Sequence, residues 1–162
     1  MDSIRVLKGV SPHSAGEEHL SIYINGIRLD ELLARQEDES LLGLVPAWLD
    51  WYDDDFAPSR MEKEYVLRRM IPTDTATQTP VLLCPDDFDF SCTAIVAEVV
   101  CVDDHVFWKR MGIDVTPYDA EETVLPKYIG RDVCWFTHCN GFVFDKEEYL
   151  ACVSCFAEGL WK

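Results

Sequence analysis

Positive charge is what this sequence is short of: 14 Lys and Arg stand against 30 Asp and Glu, a formal net charge of −16 over 162 residues. A chain this acidic repels phosphate backbones and anionic headgroups, because binding either one needs Lys or Arg to displace counterions. Nucleic acid and membrane are therefore not expected as partners. Long apolar runs are missing too, since nothing approaches the ~20 consecutive apolar residues that cross a bilayer. The opening MDSIRVLKGV holds no apolar leader ahead of a small-residue cleavage site, so the expected setting is cytoplasmic. No glycine-rich loop joins a strand to a helix, no segment repeats at a fixed period, and neither G-x-S-x-G nor H-E-x-x-H occurs. A non-catalytic chain is expected, with a dispersed active site using His13, His19, His105 or His138 as the open alternative.

What is present is core material. With 48% hydrophobic and 12% aromatic residues, the chain can bury a sizeable interior, and its length suits one domain over 1–162. The cysteines number seven, at 84, 92, 101, 134, 139, 152 and 155. An odd count without a leader points to reduced thiols rather than a disulfide framework.

Periodicity then places elements. Ile4, Val6 and Val10 suit a strand or extended arm, with a turn at Ser11, Pro12 and Gly16. HLSIYING alternates and ends in Asn25-Gly26, a strand closing in a tight turn. Leu29, Leu32 and Leu33 predict a helix over 28–37, and Pro46, Trp48, Leu49 and Tyr52 a short helix after it. The stretch 61–71 mixes Tyr65, Val66 and Leu67 with basic residues and fits helix or strand, while TDTATQTP at 73–80 reads as a connector. TPVLLCP, CTAIVAEVVC and HVFWKRM are strand-like, the second apolar on both faces and hence interior, with a hairpin turn at Asp103-Asp104. DVCWFTHC and FVF, flanking Asn140-Gly141, predict another hairpin. Asp145 with Glu148 reads as a capping box opening a helix whose face is Tyr149, Cys152, Val153, Phe156 and Leu160. The expected class is α+β, a mainly antiparallel sheet with short helices in the N-terminal half and a C-terminal helix packed on it.

Three groups compete as functional sites. Cys152-Val-Ser-Cys155 has knuckle or dithiol spacing, with His138-Cys139 as the only plausible partner, yet Cys152 falls on the apolar helix face where buried thiols are ordinary core residues. Acidic clusters occur at Glu37-Asp38-Glu39, Asp53-Asp54-Asp55 and Asp86-Asp87 with Asp89, and residues 30–55 hold nine carboxylates against the single base Arg35. No D-x-D-x-D-G loop is present, so neither calcium nor another divalent metal is expected on these carboxylates, and no cofactor is assigned. Aromatics are interleaved with the acids as Trp48, Trp51, Tyr52 and Phe56, where core and interface roles stand even. Carboxylates steer a basic partner and large rings anchor it, which makes Asp50, Trp51, Asp53, Asp54, Asp55 and Phe56 the expected contact residues.

TPVLLCPDDFDFSCTAIVAEVVCVDDHVFWKRMGID, the W-F segment, FVFDKEEYLACV and the early INGIRLDELL together resemble the small acidic immunity proteins encoded beside bacterial polymorphic toxins. The resemblance covers the second half of the chain plus residues 22–33 and rests on Cys84, Asp86, Asp87, Trp108, Arg110 and Gly112, which it implies are scaffold. It implies a single-domain, cytosolic, non-catalytic α+β binder that covers the active site of a basic toxin. The competing expectation is a small thiol redox or zinc protein using Cys152 and Cys155.

Overall fold

The computed structural model describes residues 1–10, 18–117 and 129–160. The two-sided apolar run forms β6 (Ala94–Val102), flanked antiparallel by β5 (Thr77–Leu83) and β7 (His105–Asp114), so it is interior as its pattern requires. The short β4 (Val45–Pro46) extends this sheet beyond β5, and β8 (Val133–Trp135) and β9 (Phe142–Asp145) both line the other edge of β7. A second sheet has the order β1 (Ile4–Val10), β2 (Glu18–Ile24), β3 (Ile27–Arg28). Three helices complete the described residues: α1 (Leu29–Gln36), α2 (Ala57–Met70) and α3 (Lys146–Leu160). The fold is α+β with antiparallel sheets, and none of the described helices is long and apolar enough to cross a membrane.

Local chemistry explains the junctions. Asn25 and Gly26 take φ of 52° and 81°, the pair of left-handed residues that a two-residue turn needs between β2 and β3. Between β6 and β7, where Val102 faces His105, Asp103 alone takes a left-handed φ, at 52°. Asp145 Oδ1 accepts the Glu148 N–H at 2.9 Å and caps α3, but Glu148 does not reach back to complete the box. Its Oε1 instead accepts the Ile4 N–H at 3.0 Å, fastening β1 to α3. At the start of α1, Asp30 is buried yet paired: Arg28 Nε donates to Oδ1, while Arg28 Nη2 at 3.0 Å and the Gly43 N–H at 2.7 Å donate to Oδ2, so both oxygens are satisfied.

The core runs through both sheets and α3. Trp48 and Trp108 are fully buried and meet edge to face at 6.4 Å, and each also touches Tyr149. Their ring N–H groups are not stranded: Trp48 donates to Pro80 O at 2.8 Å and Trp108 to Tyr149 Oη at 3.1 Å. Tyr149, Cys152, Val153 and Phe156 form the buried face of α3 as expected.

Three expectations are corrected. Residues 47–52 are not helical: the Ala47 N–H goes to Val81 O at 3.0 Å, while Trp48, Trp51 and Tyr52 use their side-chain donors on the carbonyls of Pro80, Pro46 and Ala47. That segment is tied to β5 instead of to its own next turn. The connector at 73–80 is shorter than expected, because Thr77 to Pro80 already belong to β5. β8 and β9 do not form a hairpin; they lie end to end along β7, with Gly112 opposite Trp135 and Trp108 opposite Phe142. The undecided stretch 61–71 is helical through Met70. The turn expected at Ser11, Pro12 and Gly16, together with His13, lies outside the described residues, as does the Leu160 side chain.

Candidate functional site

The loop 50–56 joins the β4 segment to α2, and its six predicted contact residues differ in what they leave free. Lys63, on the first turns of α2, binds Asp50 at 3.1 Å and Asp54 at 3.2 Å, so two carboxylates share one ammonium. Asp53 accepts the Asp55 N–H at 2.9 Å while its own N–H donates to Ser59 Oγ at 2.7 Å. Both are exposed, and no cation is seen on either among the described residues. Phe56 is 59% exposed, a large ring with most of its surface in water. Trp48 and Tyr52 resolve to core, being fully buried and 6% exposed.

Trp51 is half-buried, and it brings in a second acidic loop. Its ring stacks on Phe88 with centroids 4.3 Å apart and planes 13° from parallel. Phe88 sits at φ 50°, a left-handed conformation unusual for a bulky residue, and its N–H is held by Cys84 O at 3.0 Å. The stack therefore couples 50–56 to the loop carrying exposed Asp86 and Asp87 and half-buried Asp89. Two of the three acidic clusters lie on loops joined by one ring pair.

The third cluster is used structurally. Glu37 Oε1 accepts the N–H groups of His138 and Cys139 at 2.7 and 2.6 Å, pinning the link between β8 and β9. Asp38 caps the turn at Glu39–Leu41 through the Ser40 N–H, which holds its carboxyl below the usual range.

Beneath the second loop lies a group that composition alone did not bring out. Glu62 of α2 is 4% exposed, and its Oε2 has no partner. Burial, reinforced by the neighbouring charge of Asp89 and opposed by a hydrogen bond from the Phe90 N–H, pushes its pKa up to about 8. It is a neutral acid at neutral pH, closed off from a substrate. Tyr65, one turn on, meets Phe90 edge to face at 5.8 Å, so α2 seats this loop through both residues.

The thiols divide in a way the spacing of Cys152 and Cys155 does not suggest. Cys152 Sγ donates to Ile4 O at 3.4 Å, and burial pushes its pKa up to about 11. Cys155 is exposed and bonds back to Ala151 O. Cys139 is buried, which raises its thiol against the opposing Gly141 N–H. The grouping of potential metal ligands found among the described residues is Cys84, Asp87 and Cys92, whose ligand atoms lie within 4.8 Å of one another. The signal was in CPDDFDFSC, two cysteines closing an acidic loop, at a longer spacing than a knuckle. Compared with protein-family models, curated proteins and solved structures, the chain matches none of them.

Proposed function

We propose that this protein is a non-catalytic binding module for a basic protein, an immunity-type inhibitor that covers a basic toxin or enzyme. The observation that carries the reading is the joined acidic surface: loops 50–56 and 84–92 coupled by the Trp51–Phe88 stack, with Phe56 exposed at its side. Carboxylates of this kind accelerate encounter and select partner sign, and an exposed ring gains most when a partner desolvates it. Asp53 and Asp55 supply the steering charge, because Asp50 and Asp54 are engaged with Lys63. The resemblance to immunity proteins supports the same partner class. The thiol reading of Cys152 and Cys155 has less behind it, since a thiol whose pKa is raised to about 11 is protonated at neutral pH and a weak nucleophile.

The test is capture of partners from a lysate of the source cells on the immobilised chain at low and high salt. A triple variant, Asp53→Asn with Asp55→Asn and Phe56→Ala, leaves Asp54 to hold Lys63. A basic protein should be retained at low salt, be released at high salt, and associate about tenfold more slowly with the variant. Equal association rates for the two chains would remove residues 50–56 from the interface. Retention of an acidic or salt-insensitive partner would overturn the electrostatic reading.

A further inference from the structure

The ends of β5 and β6 are clamped where the loop 84–92 leaves and re-enters the sheet: the Cys84 N–H donates to Thr93 O at 3.0 Å. That ladder bond places Cys84 and its near-neighbour across the clamp, Cys92, at the neck of one loop. Pro85 opens the turn, which the Phe88 N–H closes on Cys84 O at 3.0 Å. Asp87 turns a carboxylate oxygen toward both sulfurs, and Asp86 Oδ2 stands 4.0 Å from Cys84 Sγ. The three ligand atoms already lie within 4.8 Å of one another. Tetrahedral coordination with bonds of ~2.3 Å to sulfur and ~2.1 Å to oxygen sets ligand separations of roughly 3.5 to 3.8 Å, so the site needs to contract by no more than about 1.3 Å. Asp87 and Cys92 are exposed, so an ion has a route in.

We propose that Cys84, Asp87 and Cys92 form a binding site for one thiophilic divalent cation of the zinc type. Two thiolates select such an ion against magnesium and calcium, which prefer oxygen ligands throughout. Three protein ligands leave a fourth position for water or for Asp86. Each cysteine releases its thiol proton to solvent on ligation, so uptake strengthens as pH rises. Bound there, the ion would cross-link the neck of the loop that carries Phe88, and this inference stands whether or not the surface above it meets a basic protein.

The reduced, metal-free full chain is titrated anaerobically with Co²⁺ and then with Zn²⁺. The expected result is a single equivalent of cobalt, with thiolate-to-cobalt charge transfer in the near-ultraviolet and the visible bands of tetrahedral cobalt, bleached by zinc. Cys92→Ser should weaken uptake at least about 100-fold and Asp87→Asn about tenfold, because even changes to groups that merely support metal ligands cost 10- to 100-fold. Cys152→Ser with Cys155→Ser should leave the spectrum unchanged. Cys92 is exposed, and an unaltered circular dichroism spectrum confirms that its variant folds. No cobalt spectrum in the wild-type chain, a spectrum that survives Cys92→Ser, or one abolished by changing Cys152 and Cys155 would each overturn the assignment.

Discussion

Glu62→Gln should stabilise the protein by about 3 kcal/mol near pH 7 and by almost nothing near pH 4. In the unfolded chain Glu62 ionises at its ordinary pKa of 4.5, whereas in the folded chain burial and the charge of Asp89 hold the proton until about 8. Below the unfolded value both states carry the proton and ionisation adds no penalty. As pH climbs between the two values, the unfolded state alone ionises, and stability falls by about 1.4 kcal/mol per pH unit. Above the folded value both states are ionised and the penalty stays constant. A glutamine keeps the shape and an oxygen for the Phe90 N–H, but it cannot ionise in either state, so the penalty disappears. Urea unfolding of both chains across this pH range measures it. A gain of the same size at both ends, or no gain near neutrality, would show that the carboxyl is not held neutral in the fold.

Glu62 also explains why α2 was hard to read. Its buried positions are Glu62, Tyr65, Val66 and Met70, a helical i, i+3, i+4, i+8 stripe with an acid at its head. Periodicity counts apolar residues, so a buried acid breaks the stripe and leaves Tyr65-Val66-Leu67 looking as much like a strand. The opposite error occurred at 47–52, where Trp48 and Tyr52 have helical spacing but direct their side-chain donors to backbone carbonyls, holding the chain against β5. Elements whose signals are purely local were legible: β6 from two-sided β-branching, the Asn25-Gly26 turn, and the Asp145 cap with the buried face of α3.

The candidate site divides along the same line. Exposed charge at Asp53 and Asp55 and the exposed ring of Phe56 follow from local composition. The Trp51–Phe88 stack joins residues 37 positions apart, and Lys63 reaches Asp50 thirteen positions back, so neither could be read from neighbouring residues. Cys84 and Cys92 were visible as letters, but only the Cys84–Thr93 ladder bond shows that they share one neck.

Gly141→Ala should cost about 3 kcal/mol, well above the roughly 1 kcal/mol expected for Gly26→Ala, although both glycines have left-handed backbones. Gly26 has φ 81° and Gly141 φ 80°, so the backbone penalty of an L side chain is nearly the same at the two sites. Their surroundings differ. A Cβ on Gly26 meets nothing within 4 Å, whereas one on Gly141 would press on Trp108 O and lie 2.7 Å from Lys109 O. Those are backbone atoms of β7, which cannot swing aside as a flexible side chain can. The glycine that looked like a hairpin turn is the point where the chain passes close enough to β7 for β9 to begin pairing beside Trp108. Adding a methyl there pushes Phe142 and Phe144 away from the Trp108 ring, which they now meet edge to face at 6.3 and 5.3 Å. Gly9→Ala, at an ordinary backbone angle with open space around it, is the internal control and should be near neutral. Denaturant unfolding of the three variants, with near-ultraviolet circular dichroism reporting on the tryptophans, separates strain from contact. If Gly141→Ala and Gly26→Ala cost the same, the close approach of β9 to β7 contributes nothing beyond the turn, and the end-to-end arrangement of β8 and β9 along that strand would lose its physical basis.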